Sequence, residues 1–183
     1  MRGRAARRDP LCVEARSNPF ALVRLALIAD THLPRGSRRL SETCLDALRA
    51  ADLIVHAGDF SDASVLAELR ELGPVAAVHG NVDSPELRCE LPEMLSLDLG
   101  GATLAVIHDA GPARGRLERL RARFPDADAV VFGHSHLPLH EERDGFQIFN
   151  PGSPTERRRS PRRSMGQATV GDGRIELRHL ALP

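Results

Sequence analysis

The stretch Leu25-Ala26-Leu27-Ile28-Ala29-Asp30-Thr31-His32 decides how the chain is read. A short apolar run stops abruptly at a carboxylate and an imidazole, and four more runs stop in a similar way. Residues 53–59, LIVHAGD, close on Asp59, and residues 75–81, VAAVHGN, close on Asn81. Residues 104–108, LAVIH, close on His108, and residues 130–136, VVFGHSH, deliver His134 and His136. Asp, Asn, His and Gly are ordinary turn formers, so one such ending says little. Five in succession say more, because strands of one α/β sheet run largely parallel and their carboxyl ends converge on one edge.

The pattern around these endings is that of an α/β domain. Apolar runs at 22–29, 53–55, 75–78, 104–107 and 129–132 predict strands, and helically spaced apolar residues predict helices at 41–50, 63–72 and 114–124. Ser41 is followed three residues later by Cys44 instead of Glu, which is half of a capping box. Beyond the fifth run the spacing becomes a meander, with strands expected at 137–142, 146–149, 167–170 and 174–180. Asp144-Gly145 and Asp172-Gly173 supply hairpin turns, and Gly100-Gly101 separates a strand at 94–99 from the fourth run. Residues 151–163, rich in Pro, Ser and Arg, read as an exposed loop. One domain is expected over 22–183, preceded at 1–21 by an arginine-bearing extension that lacks the apolar core of an export signal and reads as disordered.

Composition removes several chemistries. The formal net charge is zero, so no bulk field draws nucleic acid or an anionic membrane. No apolar run approaches the roughly 20 residues that span a bilayer. All 25 basic residues are arginine, and lysine and tyrosine are absent, which excludes a Schiff base, a P-loop lysine and a tyrosine nucleophile. Cys12, Cys44 and Cys89 form no CxxC pair, so neither a thiolate zinc site nor a disulfide framework is expected, and a reducing cytoplasm fits best. Ser135 and Ser153 lie outside any GxSxG elbow.

What remains is a set of seven candidate ligands: Asp30, His32, Asp59, Asn81, His108, His134 and His136. Carboxylate, amide oxygen and imidazole without thiolate suit Mn²⁺, Fe²⁺, Zn²⁺, Ni²⁺ or Co²⁺. Seven ligands exceed what one tetrahedral ion uses, whereas two ions sharing a carboxylate use all of them. Paired ions held about 3.5 to 4 Å apart clamp the attacking and leaving oxygens of an in-line displacement, which makes phosphoryl chemistry the natural reading.

The ordered series Asp30-Thr31-His32, Gly58-Asp59, Gly80-Asn81-Val82-Asp83, His108 and Gly133-His134-Ser135-His136, closed by Asn150-Pro151-Gly152-Ser153, resembles the calcineurin-like metallophosphoesterase superfamily. Within it the chain is similar to small single-domain bacterial and archaeal phosphodiesterases, from Leu25 to about Leu180. The resemblance implies a four-layer α/β/β/α sandwich of two mixed β-sheets flanked by helices. It implies two divalent ions, Mn²⁺ foremost, one held by Asp30, His32 and His136 and the other by Asn81, His108 and His134, with Asp59 bridging. Asp59, Asn81 and His108 are then the catalytic residues, and a metal-bridging hydroxide attacks phosphorus directly, without a phosphoenzyme. The implied partner is a small phosphodiester, with phosphomonoesters as a weaker substrate. A phosphomonoesterase or nuclease with the same centre is the alternative within enzymes. A non-catalytic scaffold is the alternative outside them, since a relative of this fold is a subunit of an endosomal sorting coat.

Several positions depart from the family pattern or stand beside it. Phosphatases of the family that cleave monoesters often carry His directly after the ligand Asn; here Val82 stands there, which favours diesters or good leaving groups. Where many small relatives have His-Gly-His, this chain reads His108-Asp109-Ala110-Gly111, and Asp109 is weighed evenly as a ligand-orienting group and a turn residue. His56 and His79 are expected to pack or to support ligands, and His140 and His179 have no assigned role. Arg157, Arg158, Arg159, Arg162 and Arg163 read as a solvated loop in preference to a phosphate clamp. An exposed meander edge leaves room for a homo-oligomer.

Overall fold

β1 (Val23–Ile28) shows why both faces of its sheet are covered. Leu25 and Leu27 enter one buried cluster while Ala26 and Ile28 enter another, the two-residue period of a strand without a polar face. In the computed structural model, which describes residues 22–183, β1 pairs in parallel with β2 (Leu53–His56), and β2 in turn with β3 (Val75–Ala77). On its other side β1 meets β9 (Arg163–Gly171) antiparallel, and β10 (Arg174–Leu182) closes the sheet in the order β10-β9-β1-β2-β3. The extension expected at 1–21 lies outside the described residues.

A second sheet holds β4 (Met94–Asp98), β5 (Thr103–Ile107), β6 (Ala129–Val131), β7 (Leu139–Arg143) and β8 (Phe146–Asn150), in the order β4-β5-β6-β8-β7. Here β5, β6 and β8 are parallel, and β4 and β7 are antiparallel edges. Leu25, Leu27 and Val55 of the first sheet share one core with Leu104, Val106, Val131 and Phe149 of the second. The outer face of the first sheet is covered by α1 (Glu42–Arg49), α2 (Ala63–Leu72) and α3 (Pro85–Glu90), through Cys44, Leu48, Leu66, Leu69 and Leu87. The outer face of the second packs on Leu117 and Leu120 of α4 (Arg116–Arg123). The four-layer sandwich of two mixed sheets is therefore the observed architecture.

The idea of a single convergent sheet edge needs correction. The strands before Asp30, Asp59 and Asn81 belong to the first sheet, and those before His108 and His134 to the second. A run buried on both faces carries no mark of which sheet it joins; the β4–β5 hairpin starts a new one. The two carboxyl edges nevertheless meet: the His134 amide donates to Asp30 Oδ1 at 3.0 Å, and His108 Nδ1 to Ala57 O at 2.8 Å.

Local signals explain most helix starts. Ser41 Oγ accepts from the Cys44 amide at 3.3 Å, so the half capping box suffices, and Asp62 Oδ1 accepts from Ser64 at 2.9 Å. Helix α3 is an addition to the expected elements: Ser84 caps it through the Leu87 amide and Pro85 occupies its first turn. Residues 151–155 correct the exposed-loop reading, for they are buried, with Ser153 at 1% and Thr155 at 5% exposure. Among the described residues no helix is long and apolar enough to cross a membrane.

Candidate metal centre

Five of the seven candidate ligands adopt left-handed backbone: Asp30 (φ 55°), His32 (46°), Asp59 (62°), His134 (68°) and His136 (58°). Non-glycine residues rarely adopt this conformation, and where they do the surrounding structure must enforce it. The enforcement is visible in the hydrogen bonds. The Asp30 amide donates to Gly58 O at 2.9 Å and the His32 amide to Asp59 O at 3.0 Å, tying the turn after β1 to the turn after β2. The Gly133 amide donates to His108 O at 2.9 Å, tying the turns after β5 and β6.

Three residues outside the ligand set complete this framework. Asp83 is buried, and its carboxylate accepts from the amides of Asp59 (3.1 Å), Ser61 (2.8 Å) and Gly80 (2.6 Å). Ser153 Oγ donates to Asp30 O at 2.7 Å, and Thr155 Oγ1 to Thr31 O at 2.7 Å. Close approach also dictates small residues. A Cβ on Gly80 would overlap Asp59 Oδ1, and one on Gly133 would lie 2.9 Å from Ala29 Cβ and 3.0 Å from Ala57 O.

The ligand atoms converge as two groups: Asp30, His32 and His136, and Asp59, His108 and His134, each with donor atoms within 4.8 Å of one another. Nε2 of His32 and of His136 face each other at 3.1 Å, and Asp30 Oδ1 lies 3.6 Å from His136 Nε2. Asn81 Oδ1 lies 3.0 Å from His108 Nε2 and 2.9 Å from His134 Nδ1. Between the groups, Asp59 Oδ2 lies 3.6 Å from His32 Nε2 and 3.3 Å from His108 Nε2. All seven side chains therefore occupy one end of the sandwich.

The chemistry of this donor set fits divalent ions. Asp30 is fully buried, its Oδ2 has no hydrogen-bond partner, and burial pushes its carboxyl up to about 7. A carboxylate so placed is unfavourable without a nearby cation. Burial likewise lowers His136 to about 4, so its imidazole is neutral and offers a lone pair. Burial raises the Asp59 carboxyl, but its hydrogen bond and charge interaction with His108 outweigh this and hold it well below the usual carboxylate range. The Nδ1–H of His108 donates to Ala57 O at 2.8 Å, which leaves Nε2 free to coordinate.

Behind His136 stands Glu156, whose Oε2 lies 3.1 Å from Nδ1, off the direction of a linear hydrogen bond. Arg38 pairs with the same carboxylate and Arg158 approaches it at 3.7 Å. Glu156 escapes a reading of the sequence because it lies in the arginine-rich loop. The remaining histidines sort simply. Nδ1 of buried His56 accepts from the Gly58 amide at 3.1 Å, so its Nε2–H donates to Thr31 Oγ1, and the ring stacks on Phe60. His179 stacks on Phe149 and donates to Asn150 O, and His140 meets Gln147. Asp109 accepts from the Gly111 amide at 2.7 Å, a turn contact.

Residues 23–173 match the model of the calcineurin-like phosphoesterase superfamily domain. A probable metallophosphoesterase of Methanothermobacter thermautotrophicus is 35% identical over 133 residues, covering 72% of this chain and 77% of that protein. A phosphodiesterase of Methanocaldococcus jannaschii is 27% identical over 146 residues, covering 71% and 83%. Among solved structures, a single mutant of Vps29 from Entamoeba histolytica superposes with a TM-score of 0.70 at 22% identity, covering 87% of this chain and 99% of that one. An archaeal phosphodiesterase superposes with a TM-score of 0.66 at 20% identity, covering 87% and 99%. These last two likenesses are of fold. The matched family model and the archaeal relative together place the chain in the calcineurin-like phosphoesterase superfamily, to which it belongs.

Proposed function

We propose that the chain is a dinuclear metal-dependent phosphodiesterase, working in the cytoplasm as one domain over 22–183 and using Mn²⁺ in preference to other divalent ions. The observation that carries this reading is the placement of Asp59 Oδ2 between two groups of donors, 3.6 Å from His32 Nε2 and 3.3 Å from His108 Nε2. Asp30, His32 and His136 would hold one ion, Asn81, His108 and His134 the other, and Asp59 would bridge them. When bound, such a pair supplies Lewis-acid polarisation of a phosphoryl oxygen and a nucleophile at neutral pH.

The chain's own groups set the geometry for hydrolysis, in which a water oxygen adds to phosphorus, the ester P–O bond breaks and the leaving alkoxide takes a proton. Asp83 fixes the turn that presents Asp59 and the turn that presents Asn81, through three backbone amides. His108 is held in one tautomer by Ala57 O. Val82 is 46% exposed beside Asn81 and has no proton to give, so departure of a poor leaving group receives no help from that position. This favours diesters, with monoesters as the weaker activity. A non-catalytic role in partner binding is the second reading, suggested by the Vps29 neighbours; retention of all seven donors opposes it.

The test is bound metal by elemental analysis together with Mn²⁺-supported turnover of bis-p-nitrophenyl phosphate and p-nitrophenyl phosphate. Diester turnover should exceed monoester turnover, and Asp59→Asn should lose at least about 10³-fold in kcat/KM with less than the wild-type metal content. Full diesterase activity in Asp59→Asn would sink the shared-carboxylate assignment. Absence of metal and of turnover with every cation would favour the scaffold.

A further inference from the structure

A cleft of about 460 Å³ opens beside the centre, with Asn81 and His108 in its wall. Its size suits a small organic group, and anything bound there touches the residues that would hold the second ion. The charges around it are unequal in their pairing. Arg123 lies 3.7 Å from Glu93, while Asp109 accepts from the Gly111 amide and keeps its negative charge. Arg88 has no carboxylate within ion-pair distance among the described residues, unlike Arg123 on the same wall.

Arg88 is also held in place. Its Nε donates to Asp83 O at 3.0 Å and its Nη2 to Asn81 O, both backbone carbonyls of the turn that carries Asn81. Those bonds leave the positive charge uncompensated and Nη1 without a hydrogen bond among the described residues. His79, on the same wall, uses only Nδ1, toward Gly80 O at 3.3 Å. A fixed guanidinium with free N–H groups is suited to phosphate oxygens, and its immobility reduces the entropy lost on binding. Apart from the imidazoles of His79 and His108, no aromatic ring lines the cleft among the described residues.

We propose that this cleft is the subsite for one ester arm of the substrate, and that Arg88, with His79, selects arms carrying a second phosphate. The proposal rests on the phosphodiesterase reading and names the class of diester within it: one bearing an additional terminal phosphate monoester.

The experiment compares Mn²⁺-supported cleavage of thymidylyl-thymidine with that of the same dimer carrying a 5′- or a 3′-terminal phosphate. One of the phosphorylated dimers should show kcat/KM about tenfold above the unmodified dimer, the scale of a charge-assisted hydrogen-bond pair. In Arg88→Gln that ratio should fall to about one. Because Arg88 also supports the Asn81 turn, the ratio is the readout, not the absolute rate. Equal kcat/KM for all three dimers, or an unchanged ratio in Arg88→Gln, overturns the subsite and leaves the diesterase assignment intact. Calorimetry with Mn²⁺-loaded protein covers the case in which no diester is cleaved: thymidine 3′,5′-bisphosphate should bind about tenfold tighter than thymidine 5′-monophosphate, and Arg88→Gln should remove the difference. Equal affinities overturn the proposal whatever the enzyme cleaves.

Discussion

The two halves of the candidate centre are built differently. Asp30, His32 and His136 are all buried, with exposures of 0%, 6% and 1%, and are backed by Ser153, Thr155 and Glu156. In the other half Asp59 and His108 are buried while Asn81 and His134 are exposed, and Asn81 and His108 line the cleft that Arg88 also lines. Burial, neutral imidazoles and the unpartnered Oδ2 of Asp30 suit the first half, on the proposed function, to holding an ion that replaces interactions the protein lacks. On the proposed function, exposure and a neighbouring cleft would make the second half the side from which an ester arrives. The comparison teaches that equivalent donor sets need not serve equivalent roles.

The most severe way to break it is to remove one imidazole from each half. His136→Ala should cost activity by at least about 10³-fold and destabilise the folded chain by about 2–4 kcal/mol, because a fully buried ring is removed and leaves a cavity lined by polar groups. His134→Ala should lose comparable activity while thermal unfolding of the metal-free protein shifts by no more than about 0.5 kcal/mol. Equal destabilisation by the two would refute the asymmetry. A milder change sharpens the open half. Val82→His places a proton donor beside Asn81, and the ratio of monoester to diester turnover should rise by about 10²-fold. An unchanged ratio would show that the missing acid is not what sets the preference. The smallest effect is expected behind the buried half. Glu156→Ala should weaken metal binding there by about tenfold, read by competition with a chelator, with Glu156→Gln intermediate.

The sequence made parts of this asymmetry readable and hid others. The strands before Asp30, Asp59, Asn81, His108 and His134 were legible because short apolar runs broken by turn formers need no partner to be recognised. Their distribution over two sheets was not, since Leu25 and Leu104 are equally apolar and only packing decides which sheet each joins. The six residues of α3 are too few for helical periodicity to show, and only Ser84-Pro85 marks its start. Asp83 stood in the quoted motif, yet that its carboxylate gathers three amides from two turns is a fact of the third dimension. Glu156 was hidden by its neighbours: five arginines within seven positions signal solvent, while the turn at Asn150-Pro151-Gly152-Ser153 folds its continuation back over His136.

The contact of Gly133 with Ala29 and Ala57 has a consequence for how this protein tolerates change. At that point the two sheets come within one methyl group of each other, and the pinch sets the spacing of ligands from opposite sheets. A search for inactive variants should therefore recover Ala29→Val and Gly133→Ala as readily as losses of histidine, although neither position has a functional group. The least replaceable atoms near the centre include hydrogens, present because nothing larger can be.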